Sequence, residues 1–95
     1  MLGEGRAELL VAIAETGSLT KAAKSMKMSY KKAWRLLDAM NNAGKLAVVS
    51  TSVGGKDGGG AVLTPYGLEL VQAFNTIKKN CWEFLDTQLS LLPEN

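Results

Sequence analysis

The chain of 95 residues contains no histidine and only one cysteine, Cys81. Without histidine there is no imidazole to act as a general base, to complete a triad or to join a His/Cys metal set. One cysteine forbids an internal disulfide and fits a reducing compartment. No apolar run approaches the roughly 20 residues that span a bilayer. The opening Met1-Leu2-Gly3-Glu4-Gly5-Arg6 lacks the basic-then-apolar order of a signal peptide, so a cytoplasmic location without membrane attachment is expected. No acid pair stands at a useful spacing, so an enzyme is not expected, and no cofactor is expected either.

What is present is one domain's length, 46% hydrophobic, enough for a modest core. The net charge is only +2, but it is unevenly placed. Lys21, Lys24, Lys27, Lys31, Lys32, Arg35 and Lys45 lie between Thr20 and Lys45 with Asp38 as the sole acid, a local charge near +6. The remainder is near −4. Such asymmetry marks a surface that meets polyanions.

The basic segment is centred on residues 29–41. Ser29 has the chemistry of a helix N-cap, and Ala33, Leu36, Leu37 and Met40 recur at helical spacing to form an apolar stripe. Tyr30, Lys31, Lys32, Trp34 and Arg35 occupy the other side, at the start of the helix. A recognition helix in a DNA major groove has this chemistry; a solvated lysine-rich face with Trp34 half buried is the alternative.

Upstream, Leu9, Leu10, Ile13 and Ala14 define one face of a short helix from Arg6 to Glu15. Gly17 suits a left-handed helix end and Ser18 suits the next cap. Leu19 to Met26 then forms a second helix with Leu19, Ala22, Ala23 and Met26 inward. Two short helices joined by a tight turn, the second one basic, make a helix-turn-helix, although the turn through Lys27 and Met28 has no glycine.

Downstream, Leu46 to Val49 and Ala61 to Leu63 read as short strands around Gly54-Gly55-Lys56-Asp57-Gly58-Gly59-Gly60. This glycine-rich loop invites a phosphate-binding reading, but it lacks Walker A spacing and precedes a strand rather than a helix. A plain hairpin loop, or a wing with Lys56 at its tip, remain as readings. Thr64-Pro65 is a helix start, and the helix extends to about Leu92. Leu70, Phe74, Ile77, Cys81, Phe84 and Leu91 follow a heptad seam interrupted by Gln88; Trp82, Leu85, Leu89 and Leu92 form a second stripe. Two stripes exceed what so small a monomer buries, so a homodimer is expected through Phe74, Ile77, Cys81, Trp82, Phe84, Leu85, Leu89 and Leu92, with Cys81 a packing residue rather than a nucleophile. The expected class is mainly α with a small β-hairpin: a winged helix-turn-helix over residues 1–64, then a long dimerisation helix and short tail over 65–95.

Gly3-Glu4-Gly5-Arg6, Thr16-Gly17-Ser18-Leu19-Thr20-Lys21-Ala22-Ala23-Lys24, Met28-Ser29-Tyr30-Lys31-Lys32-Ala33-Trp34, the loop from Gly54 to Ala61 and Leu63-Thr64-Pro65-Tyr66-Gly67 resemble the N-terminal DNA-binding domain of ModE-type molybdate-responsive transcription regulators. The likeness runs from about Leu2 to Leu85, and the helix-turn-helix alone is also similar to that of LysR-type regulators. The resemblance implies a bacterial-type regulator, dimerised through long helices, that binds a palindromic operator on double-stranded DNA. Full-type members continue into molybdate-binding domains where this chain stops, so molybdate sensing is not carried over. They also often have a short strand before the Gly-Glu-Gly-Arg motif.

On this reading Ser29, Tyr30, Lys31, Lys32, Trp34, Arg35, Lys21, Lys24, Lys27 and Lys56 contact DNA. Arg35 bonds guanine O6 and N7, Tyr30 or Trp34 packs on a thymine methyl or a sugar, and Lys21, Lys24, Lys27 and Lys32 hold phosphates. The rival is a protein-interaction module docking through the long helix, which the lysine-rich face disfavours.

Overall fold

A computed structural model describes residues 4–52 and 60–94. Helix α1 spans Glu4–Thr16, α2 Leu19–Ser25 and α3 Tyr30–Asn42. Strands β1, Val49–Thr51, and β2, Ala61–Leu63, precede α4, Pro65–Gln88, which ends in a 3-10 turn at Leu89–Leu91. This is a helix-turn-helix followed by an antiparallel hairpin and a long helix, the expected winged arrangement. The Gly54–Gly59 stretch and Lys56 lie outside the described residues.

The core is built on α1. Leu9, Leu10 and Ile13 are its largest fully buried side chains, each contributing roughly 1.5–3 kcal/mol on leaving water. They meet Leu19, Ala22 and Ala23 of α2, Ala33, Leu37 and Met40 of α3, and Val49, Ala61 and Leu63 of the hairpin. The small alanines let the helices approach closely. Ala14, expected to face inward, is exposed, and Ala7 and Ala12 are buried instead. Helix α1 packs against α2, α3, α4 and β2, so its buried surface is not one stripe.

Local chemistry ends each helix. Thr16 folds back to donate to the Ala12 carbonyl at 2.7 Å, and Gly17 takes φ +68° to stop α1. Ser18 and Ser29 accept from the Lys21 and Lys32 amides at 3.2 and 3.1 Å. Between α2 and α3 the left-handed residue is Lys27, at φ 55°. The Met28 amide donates to Ala23 and the Lys27 amide to Lys24, a complete Schellman closure without glycine.

Pairing in the hairpin is Val49 with Leu63, Ser50 with Val62 and Thr51 with Ala61. The strand expected from Leu46 therefore begins three residues later. Opposite Val48 stands Thr64, which already caps α4, and Leu46 is 58% exposed. The Ala61 amide also donates to the Gly17 carbonyl, tying the hairpin to the end of α1.

Thr64 caps α4 by accepting from the Gly67 amide at 3.0 Å, and its hydroxyl donates to the Ala47 carbonyl at 2.7 Å. Gly67 is the buried residue of α4, with Leu70 and Val71 packed on the core. Past Phe74 the helix leaves the domain, giving extents of 58 × 29 × 19 Å. A Cβ on Gly67 would collide with the Val48 carbonyl, a backbone atom. Gly67→Ala therefore costs about 1–3 kcal/mol by overpacking, read as a fall of several degrees in the thermal unfolding midpoint. An unchanged midpoint would mean that this contact is relaxed in solution.

Candidate nucleic-acid interface

Helix α3 divides into two faces. Ala33, Leu37 and Met40 are buried, while Tyr30 is 54% and Trp34 48% exposed. Lys31, Lys32 and Arg35 are exposed as well. Tyr30, Lys31, Trp34 and Arg35 line one surface depression. At about 100° per residue these four span an arc of about 140° that begins beside the buried stripe and turns away from it. The solvated-face alternative placed Trp34 half buried, and its exposure agrees with either reading; the shared depression shows that the aromatics and cations form one surface.

The electrostatics at this end are unusual for a helix. A helix N-terminus carries partial positive charge and favours acidic side chains. Neither α2 nor α3 has an acid in its first turn. Lys21 stands at the start of α2, and Lys31 and Lys32 at the start of α3. Asp38, the acid of α3, lies two turns away, where Asn42 donates to both its carboxylate and its backbone carbonyl. Lys24 and the left-handed Lys27 are exposed on the same helix-turn-helix unit. Ser29 is exposed but committed to the Lys32 amide.

On α4, Ile77, Trp82, Phe84, Leu85, Leu89 and Leu92 are 45% to 66% exposed, and Cys81 is exposed too. Phe74 is half-buried, beside Ala7, Val11 and Ala12 of α1. Apart from Phe74, which faces α1, the residues expected to dimerise thus lie together on an arm outside the core. Among the described residues there is no group of three acids or cysteines able to hold a metal, and no helix is long and apolar enough to cross a membrane.

Asn41 is the residue that pattern reading passed over. Its carbonyl oxygen accepts from the Val48 and Val49 amides at 2.9 and 3.1 Å, and its amide donates to the Val49 carbonyl at 3.2 Å. It fastens the end of α3 to the start of the hairpin. An asparagine at the polar end of a helix carries no periodic signal that distinguishes such a clamp from a solvated residue.

Helix-turn-helix, hairpin and projecting helix together define a winged helix-turn-helix protein. Residues 5–68 match the family described as bacterial regulatory helix-turn-helix protein, lysR family, and the chain belongs to that family. It is 44% identical over 86 residues to the molybdenum-pterin-binding protein MopB of Rhodobacter capsulatus, covering 90% of this chain and 32% of that protein. It is 43% identical over 72 residues to the DNA-binding transcriptional dual regulator ModE of Escherichia coli (strain K12), covering 76% and 28%. The chain thus spans about a third of the length of the curated relatives it matches. Its fold is similar to that in the crystal structure of a CbnR_DBD-DNA complex, with TM-score 0.74 at 19% identity, covering 95% of this chain and 98% of that one.

Replacing Asn41 with alanine leaves two partly buried amides without their acceptor, which costs about 1–3 kcal/mol. A lower urea midpoint at unchanged slope is the expected result; an unchanged midpoint would show that water replaces the side chain.

Proposed function

We propose that the chain is a sequence-specific DNA-binding regulator of transcription of the ModE/LysR-like type, working as a cytoplasmic homodimer on a palindromic operator and having no catalytic activity. The observation that carries this is the reversed charge at α3. Lysines sit at the positive end of the helix, where they destabilise it, beside two exposed aromatics. A surface shaped for folding alone has no use for that arrangement; a polyanion compensates it. The DNA complex named for the structural neighbour and the DNA-binding regulator among the relatives support the same reading.

In this mechanism α3 enters the major groove by its first two turns. Arg35 pairs with guanine O6 and N7. Lys21, Lys24, Lys27 and Lys32 hold phosphates, and Lys56 reaches the backbone or minor groove from the wing. Residues 65–95 form the dimerisation arm, in which a second copy covers Phe74, Ile77, Cys81, Trp82, Phe84, Leu85, Leu89 and Leu92.

Selection from a random duplex pool at near-physiological salt should recover an inverted repeat with half-sites about one helical turn apart. Arg35→Ala should weaken binding by about 1–3 kcal/mol and relax one base position. Lys32→Ala should weaken all sequences alike and lower the salt slope by about 0.9. A uniform loss for Arg35→Ala would reassign it to phosphate.

The arm gives a separate prediction. Phe84→Glu with Leu85→Glu should yield a monomer in sedimentation experiments, with affinity for the inverted repeat reduced to that for a single half-site. A stable dimer of that double variant would place the subunit contact elsewhere.

A further inference from the structure

Tyr30 and Trp34 stand four residues apart, so on a helix their rings lie one above the other, about 40° apart around the axis. Both are about half exposed, 54% and 48%. Lys31 and Arg35 repeat the same spacing beside them, and the four side chains line a single depression. Ser29 fixes the start of this turn through its bond to the Lys32 amide. The depression is therefore half aromatic wall and half cationic rim, on the first two turns of the helix. Nothing within the chain needs the two rings there, because Ala33, Leu37 and Met40 supply the buried face.

Building on the DNA-binding reading, we propose that the Tyr30–Trp34 wall is a receptor for the 5-methyl group of thymine, and that it makes thymine at one position of each half-site a determinant of specificity. The argument is one of chemical fit. The major-groove edges of guanine and adenine offer N7, O6 and N6 groups, and the edge of cytosine offers an amino donor. An aromatic ring pressed on any of these strips water from a polar group and returns few hydrogen bonds. The thymine methyl is the apolar group of the groove, and burying it against a ring carries no such penalty. The cationic rim suits the setting, since Lys31 and Arg35 keep the depression attractive to phosphates and guanine acceptors on either side of the methyl. Packing of the rings on a sugar is the competing arrangement, and it would read no base.

The proposal separates from DNA binding itself because deoxyuridine differs from thymidine only by the methyl. The full 95-residue chain is titrated, at fixed salt, with its selected inverted repeat and with duplexes carrying deoxyuridine at each thymine in turn. The expected result is a loss of about fourfold per half-site, the worth of one buried methyl, at one thymine position and at no other. Trp34→Ala should abolish that difference and bind the thymidine and deoxyuridine duplexes equally, whereas Arg35→Ala should keep it. Indifference of the wild-type chain to deoxyuridine at every position, with a selected repeat in hand, would overturn the methyl receptor and leave the DNA reading standing. Failure to select any repeat would overturn both. The wild-type titration needs no variant, so loss of folding on substitution does not blur the outcome.

Discussion

Three parts of the fold meet at the backbone of Val48. Its amide donates to the Asn41 side chain at the end of α3. Its carbonyl accepts from the Thr64 amide at 3.0 Å and lies against Gly67 at the start of α4. Its side chain is buried in the core. The end of α3, the hairpin and the root of the long helix are thereby held to a single residue. The hydrogen bonds individually are worth about 1 kcal/mol, but their geometric effect is larger, because moving any one element breaks contacts made by the other two. The close approach requires that Gly67 carry no side chain, which is why a glycine is placed in the first turn of a helix where it otherwise weakens the structure.

The features legible in the sequence were those whose cause is local. Ser18, Ser29 and Thr64 cap their helices because a hydroxyl needs only its own next turn to act. Gly17 stops α1 for an equally local reason. The stripe of Ala33, Leu37 and Met40 has one packing partner face, so its period survives. Features whose cause is tertiary were misread or unseen. Leu46 looked like a strand residue, but the ladder can begin only where β2 supplies a partner. Ala14 fits a stripe, but α1 is covered from several sides and that position is left exposed. Lys27 adopts a left-handed turn that favours glycine, and only the paired closure by the Lys27 and Met28 amides reveals it. Of the candidate interface, the residue types and their shared depression followed from helical spacing, whereas the Asn41 clamp depended on where Val48 and Val49 arrive in space.

The apolar residues divide into two sets with different fates. Those of α1, α2, α3 and the hairpin bury one another, and among the described residues no buried polar side chain lacks a partner. Those of α4 beyond Phe74 form an exposed row, from Ile77 to Leu92, beside a surface ion pair between Lys79 and Glu83 at 3.8 Å. A pair of that kind contributes little, and an isolated helix gains most of its stability from packing. The row therefore stands as a demand for cover that the domain does not meet, which is the physical basis for the proposed dimer.

That division gives the Val48 junction its functional weight. In the proposed dimer the arms set the distance between the two subunits, while α3 reads the groove. The two tasks are performed by separate elements, and the operator spacing is fixed only if the angle between them is fixed. Residues between α3 and α4 carry that angle, and Asn41, Val48, Thr64 and Gly67 are the ones that hold it. A change there alters neither the reading surface nor the arm, yet it changes which spacing of half-sites both subunits can occupy together. Loosening the junction converts one binding event on a rigid pair into two weakly linked ones, with the loss of effective concentration that this entails. On the proposed reading, specificity for a spaced repeat is thus a property of the junction as much as of the side chains of α3.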